Sequence, residues 1–145
     1  MLVNQILSMK SVGNVITIAP SATVADAAKL LSEKRIGAIV VSEDGMTPLG
    51  ILSERDIVRE LGRRGASVLD LTISELMTRK LMTCRTGDDA LDILNRMTQG
   101  RFRHLPVVDE SGVMIGLVSI GDAVSARLKE LNAEKEALTG MIMGN

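Results

Sequence analysis

The chain has 145 residues and a formal charge of −1, with 17 Lys plus Arg against 18 Asp plus Glu. That length fits one compact domain with room for two small, related halves, and a hydrophobic content of 46% rules out disorder of the whole chain. One Phe and no Trp or Tyr leave an aliphatic core without stacking platforms for bases, and the balanced charge lacks the basic excess of a nucleic-acid or anionic-membrane binder.

No apolar run reaches the roughly 18 to 20 residues that span a bilayer, and Met1 to Lys10 carries no signal-peptide pattern. The cytoplasm is the expected compartment. Cys84 is the single cysteine, and the single histidine, His104, lies twenty positions away, so neither an internal disulfide nor a metal cluster is expected. Cys84 reads as a small buried apolar residue.

In chain order, residues 1–14 form an N-terminal segment expected to pack on the body of the domain. Val15-Ile-Thr-Ile18 is a β-branched strand stopping at Pro20. Thr23-x-x-Asp26 is a capping box that opens a helix with apolar residues at Val24, Ala27, Ala28 and Leu31. Ala38 to Val41 and Leu49 to Leu52 read as a hairpin around a turn at Glu43-Asp-Gly45, and Ser53 begins a second helix to about Leu61. Gly62-Arg-Arg-Gly65 is a polar joint that leads into a linker, residues 63–80, in which Thr72-x-x-Glu75 starts a short helix. Then come a strand at Leu81 to Thr83, a helix over Ala90 to Gln99, strands at Leu105 to Val108 and Ile115 to Val118, and a helix from Asp122. Pro106 inside a strand pattern predicts an edge or a bulge. The apolar stripe Val124, Leu128, Leu131, Leu138, Ile142 continues the last helix into a tail, residues 132–145, with Gly140 as a stop signal.

The same unit is written twice. Sliding the sequence by 66 positions aligns Val15–Val58 with Leu81–Val124 without a gap, and eight of the 44 pairs are identical, against roughly three expected by chance. The identities include Thr17/Thr83, Arg35/Arg101, Gly50/Gly116, Ser53/Ser119 and Asp56/Asp122. The prediction is an α/β (α+β) fold: two β-α-β-β-α repeats, residues 15–62 and 81–131, related by a pseudo-two-fold axis and packed sheet to sheet. A three-stranded sheet is a poor independent domain, so the two copies must share their burial.

The chemistry concentrates where a buried strand runs straight into a helix, at Gly50-Ile-Leu-Ser53-Glu-Arg-Asp56 and Gly116-Leu-Val-Ser119-Ile-Gly-Asp122. Ser-x-x-Asp is in itself a capping box. Capping is compatible with binding, because a helix N-terminus favours a phosphate and a carboxylate in its first turn can accept from two adjacent ribose hydroxyls. No nucleophile motif, phosphate-binding Gly-rich loop or metal-spaced ligand pair accompanies them, so an enzyme is not expected.

These two motifs, with Arg35-Ile-Gly-Ala-Ile-Val-Val41 and Arg101-Phe-Arg-His-Leu-Pro-Val107, resemble the tandem cystathionine-β-synthase (CBS) domain pair, or Bateman module, over 88 of 145 positions. The resemblance implies a non-catalytic regulatory module that needs no cofactor. It implies an adenine-containing ligand, AMP first and ATP or NAD as alternatives, bound in clefts between the repeats, so that the module acts as an energy or metabolite sensor. Carried over, Asp56 and Asp122 would hold ribose hydroxyls, and Ser53 and Ser119 would contact ribose or phosphate. Thr17, Ile18 and the backbone to Pro20, with Thr83 and the backbone to Thr86, would border the adenine. Gly37-Ala38 and Arg103-His104 would form the opposite wall. Arg55 matches Gly121, so a phosphate contact there would exist in one site only; otherwise it is a solvated charge. A lone His104 is more often packed than a ligand group. A homodimer and a regulated protein supplied in trans are the expected partners. The alternative is a constitutive dimerisation scaffold whose sites are vestigial.

Overall fold

A computed structural model describes residues 1–10 and 15–143. Parts of the N-terminal segment and of the tail, residues 11–14 and 144–145, lie outside them. The first repeat runs β1 (Thr17–Ile18), α2 (Val24–Lys34), β2 (Ala38–Val41), β3 (Gly50–Ser53) and α3 (Glu54–Arg64), preceded by α1 (Val3–Met9). A 3-10 turn (Ala66–Asp70) and α4 (Ile73–Leu76) lead to α5 (Ala90–Gly100), β4 (His104–Val108), β5 (Met114–Ser119) and α6 (Ile120–Ile142).

Local chemistry sets the ends of these elements. Thr23 Oγ1 accepts from Asp26 N at 3.1 Å and the Asp26 carboxylate accepts from Thr23 N at 3.2 Å, so two otherwise orphaned donors of α2 are satisfied. At its other end Arg35 adopts a left-handed conformation, φ 55°, and Ile36 N closes onto Leu31 O at 3.1 Å. Arg101 does the same after α5, at φ 57°. These are the only non-glycine residues with positive φ among the described residues, and they are an identical pair in the repeat. A glycine would relieve strain of about 1 kcal/mol at either position.

Between its caps α2 buries Val24, Ala27 and Leu31 against Ile39, Val41 and Leu52 of the sheet. The second repeat repeats the plan with Ile93 and Met97 against Leu105, Val107 and Val118. Strand neighbours face opposite sides of a sheet, so Ala38 and Val40 are turned away from α2, yet both are buried. Ala38 lines a cleft together with His104 and Ser119 of the second repeat, and Met114 N reaches across to Met46 O at 2.7 Å. The sheets therefore cover one another, as the shared-burial argument requires.

Register obeys the 66-residue step. In β2·β3 Ala38 pairs with Ser53 and Val41 with Gly50; in β4·β5 His104 pairs with Ser119 and Val107 with Gly116. The first strand of the second repeat departs from expectation. Instead of a strand at Leu81 to Thr83 there is one parallel bridge, Cys84 to Val107, with Cys84 N on Pro106 O and Val108 N on Cys84 O, both at 2.9 Å. Pro106 stands where β2 has Val40 and has no N–H to donate, so the Thr17–Val40 pairing has no counterpart. The register shift comes immediately after, between Val107 and Val108.

The segments ahead of the repeats are exchanged. Residues 71–80 pack on the first repeat: Val24 N donates to Leu71 O, Ile73 N to Ala22 O and Ser74 N to Pro20 O. Residues 1–10 pack on the second: Ala90 N donates to Met1 O, Val3 N to Asp88 O and Asn4 N to Thr86 O. These sets are equivalent under a step of 70 rather than 66, and the four extra positions fall at residues 11–14, which is why a gapless alignment does not find them. Each segment thus crosses to the partner repeat and adds side chains there: Met77 to the first core, Val3 to the second.

Gly140 does not stop α6, which runs to Ile142. A glycine ends a helix when it turns left-handed, and Gly140 keeps a negative φ. With nothing within 4 Å of its Cβ position, it costs only about 1 kcal/mol of helix propensity. No helix among the described residues is long and apolar enough to cross a membrane.

Candidate functional site

Both strand-to-helix junctions form the doubled cap. Ser53 Oγ accepts from Asp56 N at 3.2 Å while the Asp56 carboxylate accepts from Ser53 N at 2.9 Å; the matching distances for Ser119 and Asp122 are 3.1 and 2.9 Å. The first helical residue is then tied to the neighbouring strand, Glu54 N to Gly37 O at 2.9 Å and Ile120 N to Arg103 O at 2.8 Å. This link sets Gly37-Ala38 beside Ser53 and Arg103-His104 beside Ser119. Each carboxylate sits where the partial positive charge of a helix N-terminus stabilises its ionised form.

A cleft of about 980 Å³ opens between the repeats, within the range of small-molecule sites; Ser119 and Lys10 line it, and Asp122, bonded to both, stands behind them and not in the lining itself. It brings together Gly37 and Ala38 of one repeat with His104 and Ser119 of the other. A Cβ on Gly37 would stand 4.0 Å from His104 Cε1 and 3.6 Å from Glu54 Oε1, so the seam is narrow there. The cleft is also lined by Val15, Ile16, Met114 and Ile115, an aliphatic floor, and by Leu7 and Lys10 from the exchanged N-terminal segment. Sequence reasoning missed those last two. The signal was present as Leu7-x-x-Lys10 against Met77-x-x-Lys80, hidden by the 70-residue step.

Lys10 makes the two carboxylates different. Its Nζ donates to Asp122 Oδ2 and to Leu117 O, both at 2.8 Å. Asp56 instead takes Arg59 of its own helix, at 3.0 Å on Oδ1, and Lys80 is exposed. Burial opposes the charge of Asp122, but the Lys10 ammonium and the Ser119 N–H outweigh it and hold the carboxyl below its ordinary range. His104 is held below its ordinary value, by burial first and also by Lys10 and Arg103, against the opposite pull of Asp122 and Glu54. It faces the cleft as a neutral imidazole at pH 7.

The remaining expected residues are more dispersed. Thr17 pairs with Val40 and does not line the cleft, but its Oγ1 stands 3.8 Å from a Cβ on Gly45, which does. Ile18 packs on the first core, and its carbonyl is taken by Ser42 N. The Pro20 and Thr86 carbonyls bind the exchanged segments, through Ser74 N and Asn4 N. Thr83 O accepts from Arg96 Nη1 at 3.0 Å. Arg55 and Arg103 are exposed. A shallower groove of about 530 Å³ lies between α2 and α3, lined by Ala28, Arg35, Glu54 and Val58. Among the described residues no group of His, Cys, Asp and Glu is placed to hold a metal ion.

The sequence pattern of the CBS domain matches residues 3–63 and again 73–129. The chain belongs to the CBS-domain family. The two matched stretches begin at Val3 and Ile73, the same 70-residue step that relates the exchanged segments. The CBS-domain-containing protein CBSX3, mitochondrial, of Arabidopsis thaliana is 37% identical over 126 residues, 84% of this chain and 61% of that one. This chain thus spans under two thirds of that relative's length. Among solved structures, a CBS-domain-containing protein from Agrobacterium tumefaciens superposes with a TM-score of 0.81 at 35% identity, covering 88% of this chain and 99% of that one. CBSX2 of Arabidopsis thaliana in complex with AMP gives 0.72 at 30% identity, covering 88% and 96%. The fold is that of a CBS pair.

Proposed function

We propose that this CBS pair is a non-catalytic regulatory module that binds an adenine nucleotide, AMP before ATP or NAD, in the cleft beside Asp122. The observation that carries the reading is that cleft: an aliphatic floor, a Gly37-Ala38 backbone wall free of bulky side chains, and a capped carboxylate beside Ser119, in a chain 30% identical to a protein solved with AMP. Apolar walls accept the base, and Asp122 receives the ribose hydroxyls as acceptor. Asp56 and Ser53 form the same cap in the first repeat, where Arg59 is already bonded to Asp56 Oδ1, and Thr17 and Thr83 would border the bases.

The ligand touches both repeats, so binding favours one inter-repeat angle, and the change is read by a protein supplied in trans or by a second copy. Support for the second copy comes from α6, whose Leu128, Leu131, Leu138 and Ile142 are exposed along one stripe.

Thermal unfolding with added AMP, ATP, NAD and adenosine tests the reading. AMP at a hundred times its dissociation constant should add about 2.7 kcal/mol of stability. No rise in Tm with any of the four at millimolar concentration leaves a scaffold as the function.

A further inference from the structure

We propose that Lys10 makes the cleft beside Asp122 selective for a 5′-phosphorylated nucleoside over the free nucleoside, and that the Ser53–Asp56 junction of the first repeat lacks this selection. The inference rests on the nucleotide reading above and assigns to one residue the anion recognition that reading leaves open.

The argument starts from hydrogen-bond accounting. An ammonium has three donors; among the described residues Lys10 Nζ uses one on Leu117 O and one on Asp122 Oδ2, which leaves one for the cleft it lines. Both bonds that the structure records on Asp122 from Ser119 N and Lys10 fall on Oδ2, so Oδ1 carries neither of them and a hydroxyl could donate to it without displacing the lysine. A ribose can therefore be held at Asp122 while Lys10 stays beside it as a fixed cation.

A free nucleoside offers no anion to the remaining donor of that lysine, whose other contacts are Asp122 and Leu117 O. A 5′-phosphate does, and the N-terminus of the 23-residue α6 adds partial positive charge on the same side. Lys10 is held in place from outside the cleft. Val3 and Ile6 of α1 are 0% and 2% exposed against the second repeat, so the segment is anchored by apolar burial that does not depend on the lysine.

The first repeat has no equivalent. The position matching Lys10 under the 70-residue step is Lys80, which is exposed, and the cation on Asp56 is Arg59 from its own helix, 59% exposed and bonded to Oδ1. That bond takes the oxygen which on the Asp122 side is open.

Calorimetric titration with AMP and with adenosine, on the full chain and three variants, tests the proposal. The unsubstituted chain should bind AMP at least tenfold more tightly than adenosine. Lys10→Met should lower AMP affinity about tenfold and leave adenosine within twofold, Lys10→Arg should retain the preference for AMP, and Lys80→Met should change neither. Equal affinity of the unsubstituted chain for both ligands, or a gain for both in Lys10→Met, which would make the lysine a plug on Asp122, overturns the proposal and leaves the nucleotide reading standing. Binding of neither ligand by the unsubstituted chain overturns both. Unchanged circular dichroism and thermal midpoint in ligand-free Lys10→Met separate loss of recognition from loss of fold.

Discussion

Gly50 and Gly116 stand at the same point of their repeats, and each is packed by a side chain that has crossed from the segment ahead of the other repeat. A Cβ on Gly50 would meet Met77 Sδ at 2.7 Å and Thr78 O at 2.9 Å; on Gly116 it would meet Leu7 Cδ2 at 2.7 Å. The two contacts differ in kind. Thr78 is paired to Ile51 by backbone bonds in both directions, at 2.9 and 3.1 Å, whereas the end of Leu7 can change rotamer. Gly50→Ala should cost about 1–3 kcal/mol and Gly116→Ala clearly less, as read from urea unfolding midpoints. Equal losses would show that Leu7 is as rigidly held as the backbone.

Asp56 and Asp122 share a cap and differ in their cations. Asp56→Ala should weaken nucleotide binding several-fold and leave the fold intact, and Asp122→Asn should do the same at its own cleft. Each substitution removes the charge that accepts from ribose hydroxyls; Asp122→Asn also leaves Lys10 without its anion. Calorimetry of each variant with AMP gives the answer. Unchanged affinity in both would remove the carboxylates from the site.

His104 ties stability to pH. Its folded-state pKa is lowered, by burial first, so between that value and the unfolded value of about 6.5 the unfolded chain holds a proton that the native chain does not. The contribution is complete above pH 6.5 and is lost as pH falls below it. Urea unfolding at pH 7.5 and 5.5 should show a smaller pH difference for His104→Gln than for the unsubstituted chain. Asp122, also lowered, loses its contribution only further down, below about pH 4.

Cys84 is 1% exposed, and its thiol is pushed up to about 12, by burial first and then by the nearby Asp88. It should resist iodoacetamide at pH 8 in the native state and react at once in denaturant. Rapid native labelling, followed by mass spectrometry, would mean that the second core opens readily around the single Cys84–Val107 bridge.

The exposed stripe on α6 predicts self-association. Leu131→Ser combined with Leu138→Ser should shift sedimentation from dimer to monomer without changing helix content. A monomeric unsubstituted chain would leave this stripe to another protein.

Much of this protein is determined locally and was legible in residue order. The capping boxes at Thr23, Ser53 and Ser119 start their helices because the bonds involved span three residues, and the 66-residue step predicts the strand register because identical backbones pair identically. The family resemblance rested on the same local motifs. What only the tertiary structure decided lies between distant segments. Pro106 shortens the second sheet because of what Val40 does in the first. The crossing of residues 1–10 and 71–80 comes from apolar burial, which has no direction along the chain, and its mark in the sequence, a step of 70, is lost to a gapless alignment at 66. Lys10 reaches Asp122, 112 positions away, by that crossing alone, and so the character of the cleft is set by a residue outside both stretches that the 66-residue step aligns.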